Sequence, residues 1–516
     1  MIRVREAREE DVGQIREMFI AVYGADYPHE EVYDELWLKR SIFTDDALIL
    51  VAEDGETGRV IGTASVLFDF GAHSDQVGEF GRLVVHPDSR RLQVGKLLME
   101  KRLEAIQNRL HVGLVVARTV HPYAQRISLA HGFIAAGFLP LKYLVRHRES
   151  VALLVRYFGD ALTLRRNHPR IIPEAYRLAN LVMSHSPLTP DFIVDEDSAP
   201  YPPGGGYQLE QLQAEGYPAL LRIERGRVRN REIFGPMRLD YGFFKLQARQ
   251  TSYFLARSGG QIVGAVGYTL YHVEKSVRVL ELIALADDVV RFLLAELERK
   301  CREEMGVVYI EIDVSAYAPR MQRTLLELNF LPVAYVPAMV FYQVERLDIV
   351  KMVRLTELQD LGPLALTEPV QAVADVVMRG FSSCVLAPRM AQAIKDIPLF
   401  QGLHGARVSI GGTHFHAGRS SRRAVSGAGR TGGHQRRHAG GHHRHGVSWG
   451  NVRRSLVARG LASLRVRHRR GAGGGGGPAA AGSGGSHPAP ARHRGDHLPQ
   501  FGRGLGGEAA QQTRRV

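Results

Sequence analysis

Three cations gathered at a helix start are the side chains of this chain best suited to chemistry. Arg90, Arg91 and Lys96 flank Leu92-Gln93-Val94-Gly95, which reads as the opening turn of a helix. The first backbone N–H groups of a helix have no intrahelical acceptor, and the helix dipole adds partial positive charge there. Cationic side chains at such a point make a natural site for a diphosphate. Upstream, a single carboxylate, Glu79, lies in the apolar run Val77–Val85. Arg82 is open to two readings, a site residue for cofactor or substrate and a plain surface residue.

These residues need elements to position them. Val77–Val85 is expected to be a strand, Pro87 marks the turn after it, and a helix follows the basic loop. Ile2 to Val12 reads as a first strand and the start of a first helix. Ala47–Ala52 and Val60–Leu67 read as a hairpin around the turn-rich Glu53–Gly58. Val112–Arg118 is another strand. His121 to Phe133 reads as a helix closed by Gly132-Phe133.

In this order of elements, Val85-His86-Pro87-Asp88-Ser89-Arg90 followed by Arg90-Arg91-Leu92-Gln93-Val94-Gly95 resembles the acetyl-CoA-binding motif of the GNAT superfamily of N-acetyltransferases, over residues 1–147. The resemblance implies an α/β (α+β) fold with a mixed sheet, acetyl-CoA as co-substrate and no metal. It implies transfer of the acyl group to an amine, of a protein lysine or of a small molecule. Arg90, Arg91, Leu92, Gln93, Val94, Gly95 and Lys96 would hold the diphosphate. The backbone of Leu83, Val84 and Val85 would hold the pantetheine amide and polarise the thioester carbonyl. Glu79 matches the family's frequent base. The family's frequent acid, a Tyr four residues before the Gly of Gly-Phe, is Ser128 here, and Tyr123 is the substitute in the same segment. Gln93 stands where the family carries its first Gly, and a Cβ there crowds the approach of the diphosphate.

At 516 residues the chain has room for about three domains. We expect the acetyltransferase-like domain at 1–147, a helical connector and linker at 148–206, and a second, degenerate GNAT-like domain at 207–346. In that second copy Tyr253–Ala256 and Gln261–Tyr268 form a hairpin, Val277–Ala284 and Val307–Asp313 are strands, and Asp288–Met305 and Pro319–Asn329 are helices. Its strand-to-helix junction, Ala284-Leu-Ala-Asp-Asp-Val289, has neither Gly nor Arg, so no CoA is expected there. A helical segment spans 347–403. Within it Ala391–Leu403, with Ile397-Pro-Leu-Phe-Gln-Gly-Leu403, resembles the entry to a cyclic-nucleotide-binding domain, but the alternating strands that should follow are missing. Cyclic nucleotide is therefore not expected to bind this chain.

The net charge of +14 misleads. Residues 404–516 hold 20 Arg, no Lys, one Asp and one Glu, or +18, which leaves 14 − 18 = −4 for the rest. That segment, with its Gly and His, has three readings: a disordered low-complexity tail, a nucleic-acid-binding arm, and out-of-frame translation of GC-rich DNA. The two cysteines exclude a disulfide scaffold and fit a reducing compartment. The polar N-terminus and the lack of an apolar run of about 18 residues point to a cytoplasmic protein without a membrane partner. The leading expectation is an acyl-CoA-dependent N-acyltransferase. A non-catalytic CoA-sensing or partner-binding scaffold and a basic-tail nucleic-acid binder remain as alternatives.

Overall fold

The computed structural model describes residues 1–25, 27, 29–68, 75–212, 231–235, 251–357 and 360–395, and the short strands 407–410 and 413–416. The chain divides into two compact units, Met1–Leu403 and His404–Val516. In the second, Arg407–Ile410 pairs antiparallel with Thr413–His416. The other expectations for residues 396–516, including most of the cyclic-nucleotide-like stretch, lie outside the described residues.

The first unit is built on one 14-stranded sheet. Its first seven strands are β1 (Ile2–Glu6), β2 (Ala47–Asp54), β3 (Val60–Leu67), β4 (Val77–Val85), β5 (Val112–Arg118), β6 (Ile134–Leu144) and β7 (Arg148–Tyr157). They lie in the order β1-β2-β3-β4-β5-β7-β6. β8 (Arg170–Ile171) and β9 (Ile193–Val194) form a separate parallel pair. The other seven are β10 (Gln208–Gln211), β11 (Ser252–Ser258), β12 (Gln261–Tyr271), β13 (Ser276–Ala284), β14 (Tyr309–Ser315), β15 (Leu331–Tyr342) and β16 (Glu345–Leu355). Read inward from the opposite edge, their order is β10-β11-β12-β13-β14-β16-β15, the same pattern. In each half one internal pair is parallel, β4 with β5 and β13 with β14. The halves join where Ala334 of β15 faces Gly137 of β6. A Cβ on Gly137 would sit 2.3 Å from that of Ala334, so the close approach requires glycine.

The helices follow from apolar periodicity. α1 (Val12–Tyr23) buries Val12, Ile15, Met18 and Phe19, and α2 (Glu35–Phe43) begins at an Asp34 carboxylate that accepts the Leu36 N–H at 2.9 Å. α3 (Val94–Ile106) packs on β2 and β3, and α4 (Tyr123–Ala130) follows β5. α5 (Pro173–Ser184), α6 (Asp287–Glu303), α7 (Pro319–Glu327) and α8 (Glu368–Lys395) complete the set among the described residues.

Two expected segments are corrected. Residues 148–206 are not simply a helical connector, because Arg148–Tyr157 is β7, inserted between β5 and β6. Val151-Ala-Leu-Leu-Val155 is buried on both faces. A central strand of that kind shows no alternation, so its short apolar run mimics a helix. Likewise 347–403 is not wholly helical, since β16 runs on to Leu355 before α8 begins.

The two halves exchange arms. After β8, α5 crosses to pack mainly on β15 of the other half, and α8 packs mainly on β6. Each arm is preceded by a strap clamped by a buried glutamine. Gln125 of α4 donates to Arg118 O and Ala365 O, both at 3.2 Å, and accepts from Thr367 N at 3.0 Å. Gln322 of α7 donates to Ser315 O at 3.1 Å and Arg170 O at 3.3 Å, and accepts from Ile172 N at 3.2 Å. Both glutamines are fully buried. The straps before α5 and α8 thus each close on a helix of the opposite half.

Candidate active site

A wedge opens in the sheet beside Glu79. β4 pairs with β5 only at Val77–Val112, Gly78–Gly113 and Glu79–Leu114. β5 meanwhile stays paired with β7 as far as Arg118. Beyond Glu79 the two parallel strands therefore part, and their facing backbone groups are left for another partner. A bulge drives the parting. Ser65 faces Gly81 and Thr63 faces Val84, so Arg82 and Leu83 occupy the space opposite Ala64 alone. Arg82 takes the left-handed φ of 52° that this kink needs. Arg102 of α3 fills the space below, donating to Ser65 O at 3.0 Å and Gly81 O at 3.3 Å.

The basic loop follows β4. Pro87–Leu92 forms a short 3-10 helix, capped where the His86 ring accepts the Asp88 N–H at 3.4 Å. Gln93 then turns the chain at φ 56° into α3. Lys96 N and Leu97 N donate to Gln93 O at 3.0 and 3.1 Å. Among the described residues the N–H groups of Gln93, Val94 and Gly95 donate to no backbone carbonyl. Arg90, Arg91, Leu92, Gln93 and Lys96 are exposed. Arg90 and Arg91 make no ion pair among the described residues, and Lys96 reaches only Glu100 at 3.8 Å. Gly95 lets Ile127 of α4 and Leu83 approach the helix start, where a Cβ would meet Ile127 Cδ1 at 3.2 Å. Val84 and Val94 are buried, and Leu83 and Val85 are half-buried along the wedge.

Gln93 is the strained point of this loop. The left-handed region disfavours any residue with a Cβ by about 1–2 kcal/mol. On the expectation that this loop holds the diphosphate of acetyl-CoA, Gln93→Gly tightens that binding by about threefold to tenfold, as the backbone gains room. Titration calorimetry of the two proteins checks this, and equal or weaker binding by the variant would rule it out.

Glu79 points into an enclosed cluster and is 8 % exposed. The cluster is made by residues that sequence reasoning did not select, mostly from the connection between α1 and α2. The rings of Tyr23 and Tyr27 lie 4.8 Å apart, Tyr27 and His29 5.6 Å, and His29 and Tyr143 5.6 Å. Glu31 accepts Arg82 Nη2 at 2.7 Å and lies 3.5 Å from His29 Nδ1. Burial and then the Arg82 guanidinium hold the His29 imidazole below its ordinary value, against the opposite pull of Glu79 and Glu31. Burial and the charge of Glu79 raise the Tyr143 hydroxyl well above its usual value. The run Tyr23, Tyr27, His29, Tyr33 was the only available signal, a concentration of aromatics in a segment without helical period.

Tyr123 is not in this cluster. It stands at the start of α4, 67 % exposed, with its ring 5.4 Å from that of His121. His121 feels the charges of Arg118 and Arg90, which places this pair beside the basic loop. Ser128 is buried and turned inward. Arg82, at 8 % exposure, is not a surface residue.

The matching place in the second half is closed. Counting from the first parallel pair of each half, Glu79 corresponds to Arg278. Arg278 lies 3.3 Å from Asp313 and 3.6 Å from Glu311. At the start of α6, Asp287 pairs with Arg320 at 3.1 Å and Asp288 accepts the Tyr207 hydroxyl at 2.7 Å. A Cβ on Gly204 would lie 2.4 Å from Asp288 O, so the 201–207 segment is pressed against that helix start.

Residues 12–133 match the model of the acetyltransferase (GNAT) family. The chain therefore carries a GNAT acetyltransferase domain, an enzyme domain of the class that uses acetyl-CoA. Among solved structures, it is similar to a spermidine/spermine N-acetyltransferase from Vibrio cholerae at 17 % identity, covering 32 % of this chain and 98 % of that one, with a TM-score of 0.27. A GNAT-family acetyltransferase from Streptococcus pneumoniae is 19 % identical over 31 % of this chain and 100 % of its own, with a TM-score of 0.28. A phosphinothricin acetyltransferase from Sinorhizobium meliloti, in complex with AcCoA, is 22 % identical over 31 % of this chain and 89 % of its own, with a TM-score of 0.28. No curated protein matches the chain. Among the described residues no helix is long and apolar enough to cross a membrane, and no group of three metal-ligating side chains is present.

Proposed function

We propose that the first half transfers an acetyl group from acetyl-CoA to an amine, and that the second half is a structural partner. The observation that carries this reading is the wedge between β4 and β5, with a basic helix start at its mouth and a buried carboxylate at its apex. The diphosphate lies against the N–H groups of residues 93–95, with Arg90, Arg91 and Lys96 around it. The pantetheine arm runs along Leu83–Val85, replacing the strand contacts that β5 does not make. The acceptor arrives as an ammonium and gives one proton to Glu79. Its nitrogen then attacks the thioester carbon to give a tetrahedral oxyanion; as this collapses the C–S bond breaks, CoA leaves as the thiolate, and the second proton shed by the nitrogen replaces the one donated to that thiolate. The backbone N–H groups of the wedge stabilise the oxyanion. Tyr123 is the tyrosine of this chain nearest in sequence to the position of the family's acid. It protonates the leaving thiolate if α4 turns it inward.

The second half offers carboxylates where a diphosphate needs cations, and a guanidinium where the first half has Glu79. It repeats the strand order of the first half, and this supports a second GNAT-like copy without CoA chemistry. A cytoplasmic setting accords with the co-substrate. The resemblance of 391–403 to a cyclic-nucleotide-binding entry remains an expectation.

Calorimetry with acetyl-CoA, followed by thiol release in the presence of an amine panel, tests the proposal. Arg90→Ala with Arg91→Ala is expected to weaken acetyl-CoA binding by about tenfold. Glu79→Gln is expected to keep that binding and lose about a hundredfold in kcat. Full activity of the Glu79→Gln protein would remove the carboxylate from the mechanism.

A further inference from the structure

Among the described residues of the first half, Arg82 is the one guanidinium with two buried nitrogens that lack a hydrogen-bond partner. Its side chain is only 7 % exposed, and it rests on the Trp37 ring with its carbon 5.5 Å from the centroid. Only Nη2 is engaged, by Glu31. Nε and Nη1 are buried with no hydrogen-bond partner. An unmet buried donor is expensive, and more so on a charged group. The residue also sits at a left-handed φ on the bulge that opens the wedge. Strain and unmet donors held together at one point mark a place kept for a ligand. Glu79 as well as Glu31 lies near enough for its charge to act on this guanidinium. A carboxylate held by Arg82 and an amine facing Glu79 would therefore belong to one small molecule.

Glu31 explains how Arg82 is kept in the absence of that molecule. It belongs to the segment between α1 and α2, and it is about one-third exposed, with a side-chain value of 32 %. It can swing to water, whereas Arg82 cannot follow it.

We propose that the acceptor is a small amino acid, an amine with a carboxylate one or two carbons away. Arg82 binds its carboxylate, and Glu31 is the place-holder that leaves when it enters. A protein lysine side chain carries no carboxylate beside its amine and leaves Arg82 unmet. The inference rests on the acetyl-transfer reading of this site and names its acceptor class.

The test uses the full chain and needs no variant at first. Acetyl transfer is measured for each of a panel of L-amino acids, for the primary amide of each, and for a lysine-containing peptide with blocked termini. The expected result is a kcat/KM for the preferred amino acid about tenfold to a hundredfold above that of its amide, with the difference in KM. Arg82→Gln should abolish that preference, and Arg82→Lys should restore part of it. Glu31→Gln should lower the KM for the amino acid by severalfold, because the competing carboxylate is gone. A purely structural Arg82–Glu31 pair would move both variants in the same direction. If Arg82→Gln does not fold, the amino acid and amide comparison and the Glu31→Gln protein decide alone. Equal use of acids and amides, or preference for the peptide, overturns the acceptor assignment and leaves acetyl transfer standing. Absence of acetyl-CoA binding overturns both.

Discussion

A chain cut after Leu355 loses its cooperative melt, while a chain ending at Leu403, which keeps the whole first unit, retains one. The cut removes α8, whose Val370, Val373, Ala374, Val377 and Phe381 are buried. The four larger side chains contribute about 1.5–3 kcal/mol each, or roughly 6–12 kcal/mol together. That is as large as the net stability of an ordinary domain, about 5–15 kcal/mol. The cut also strips Thr367 and Ala365 from Gln125, leaving a buried amide without two of its three partners. Circular dichroism during heating or urea titration reads the outcome. A sharp transition at the full-length midpoint in the shorter chain would show that the arm is not part of the folded core.

Glu311→Gln destabilises the protein by about 3–5 kcal/mol and flattens its acid unfolding limb. Glu311 lies 2.6 Å from Lys142 of the other half, 3.6 Å from Arg278 and 4.0 Å from Lys351. Asp313 lies 2.5 Å from Lys351 and 3.3 Å from Arg278. The amide leaves these cations one buried carboxylate short. Burial pushes the Glu311 carboxyl up, but Lys142, Lys351 and Arg278 outweigh it and hold the group well below the carboxylate range. The folded value is thus depressed. Its contribution is full above the unfolded value near about 4.3 and is lost as pH falls toward the folded one. Urea midpoints from pH 7 down to pH 3 should fall steeply in the parent and less so in the variant. Parallel curves would mean that the Glu311 carboxyl binds protons equally in the folded and unfolded chains.

Local pattern carried much of this structure. The strands 47–54, 60–67, 77–85 and 112–118, and the helices on 94–106 and 319–327, follow from apolar period and turn chemistry. β7 did not follow, because Val151–Val155 is buried on both faces and short apolar runs carry no period. The basic loop was legible because its chemistry is contiguous. The Glu79 surroundings were not, since Tyr27, His29 and Glu31 come from 50 residues upstream and Tyr143 from a strand on the far side of β5. Arg82 could not be placed in advance because a bulge, which alternation does not reveal, decides which way it points. The exchange of arms is wholly non-local. Gln125 and Gln322 look like ordinary helix surface residues until their distant straps are in place.

That exchange bears on what the second half is free to become. Each half is finished by a strap and helix borrowed from the other, much as subunits are in an intertwined dimer. Here both lenders sit on one chain. The local concentration of each arm is set by the short 185–207 connection and owes nothing to how dilute the protein is. Folding therefore does not depend on encounter, and the two halves need not remain equal. One has kept a carboxylate at the apex of an open wedge. The other carries Arg278 at the corresponding strand position, held by Asp313 and Glu311.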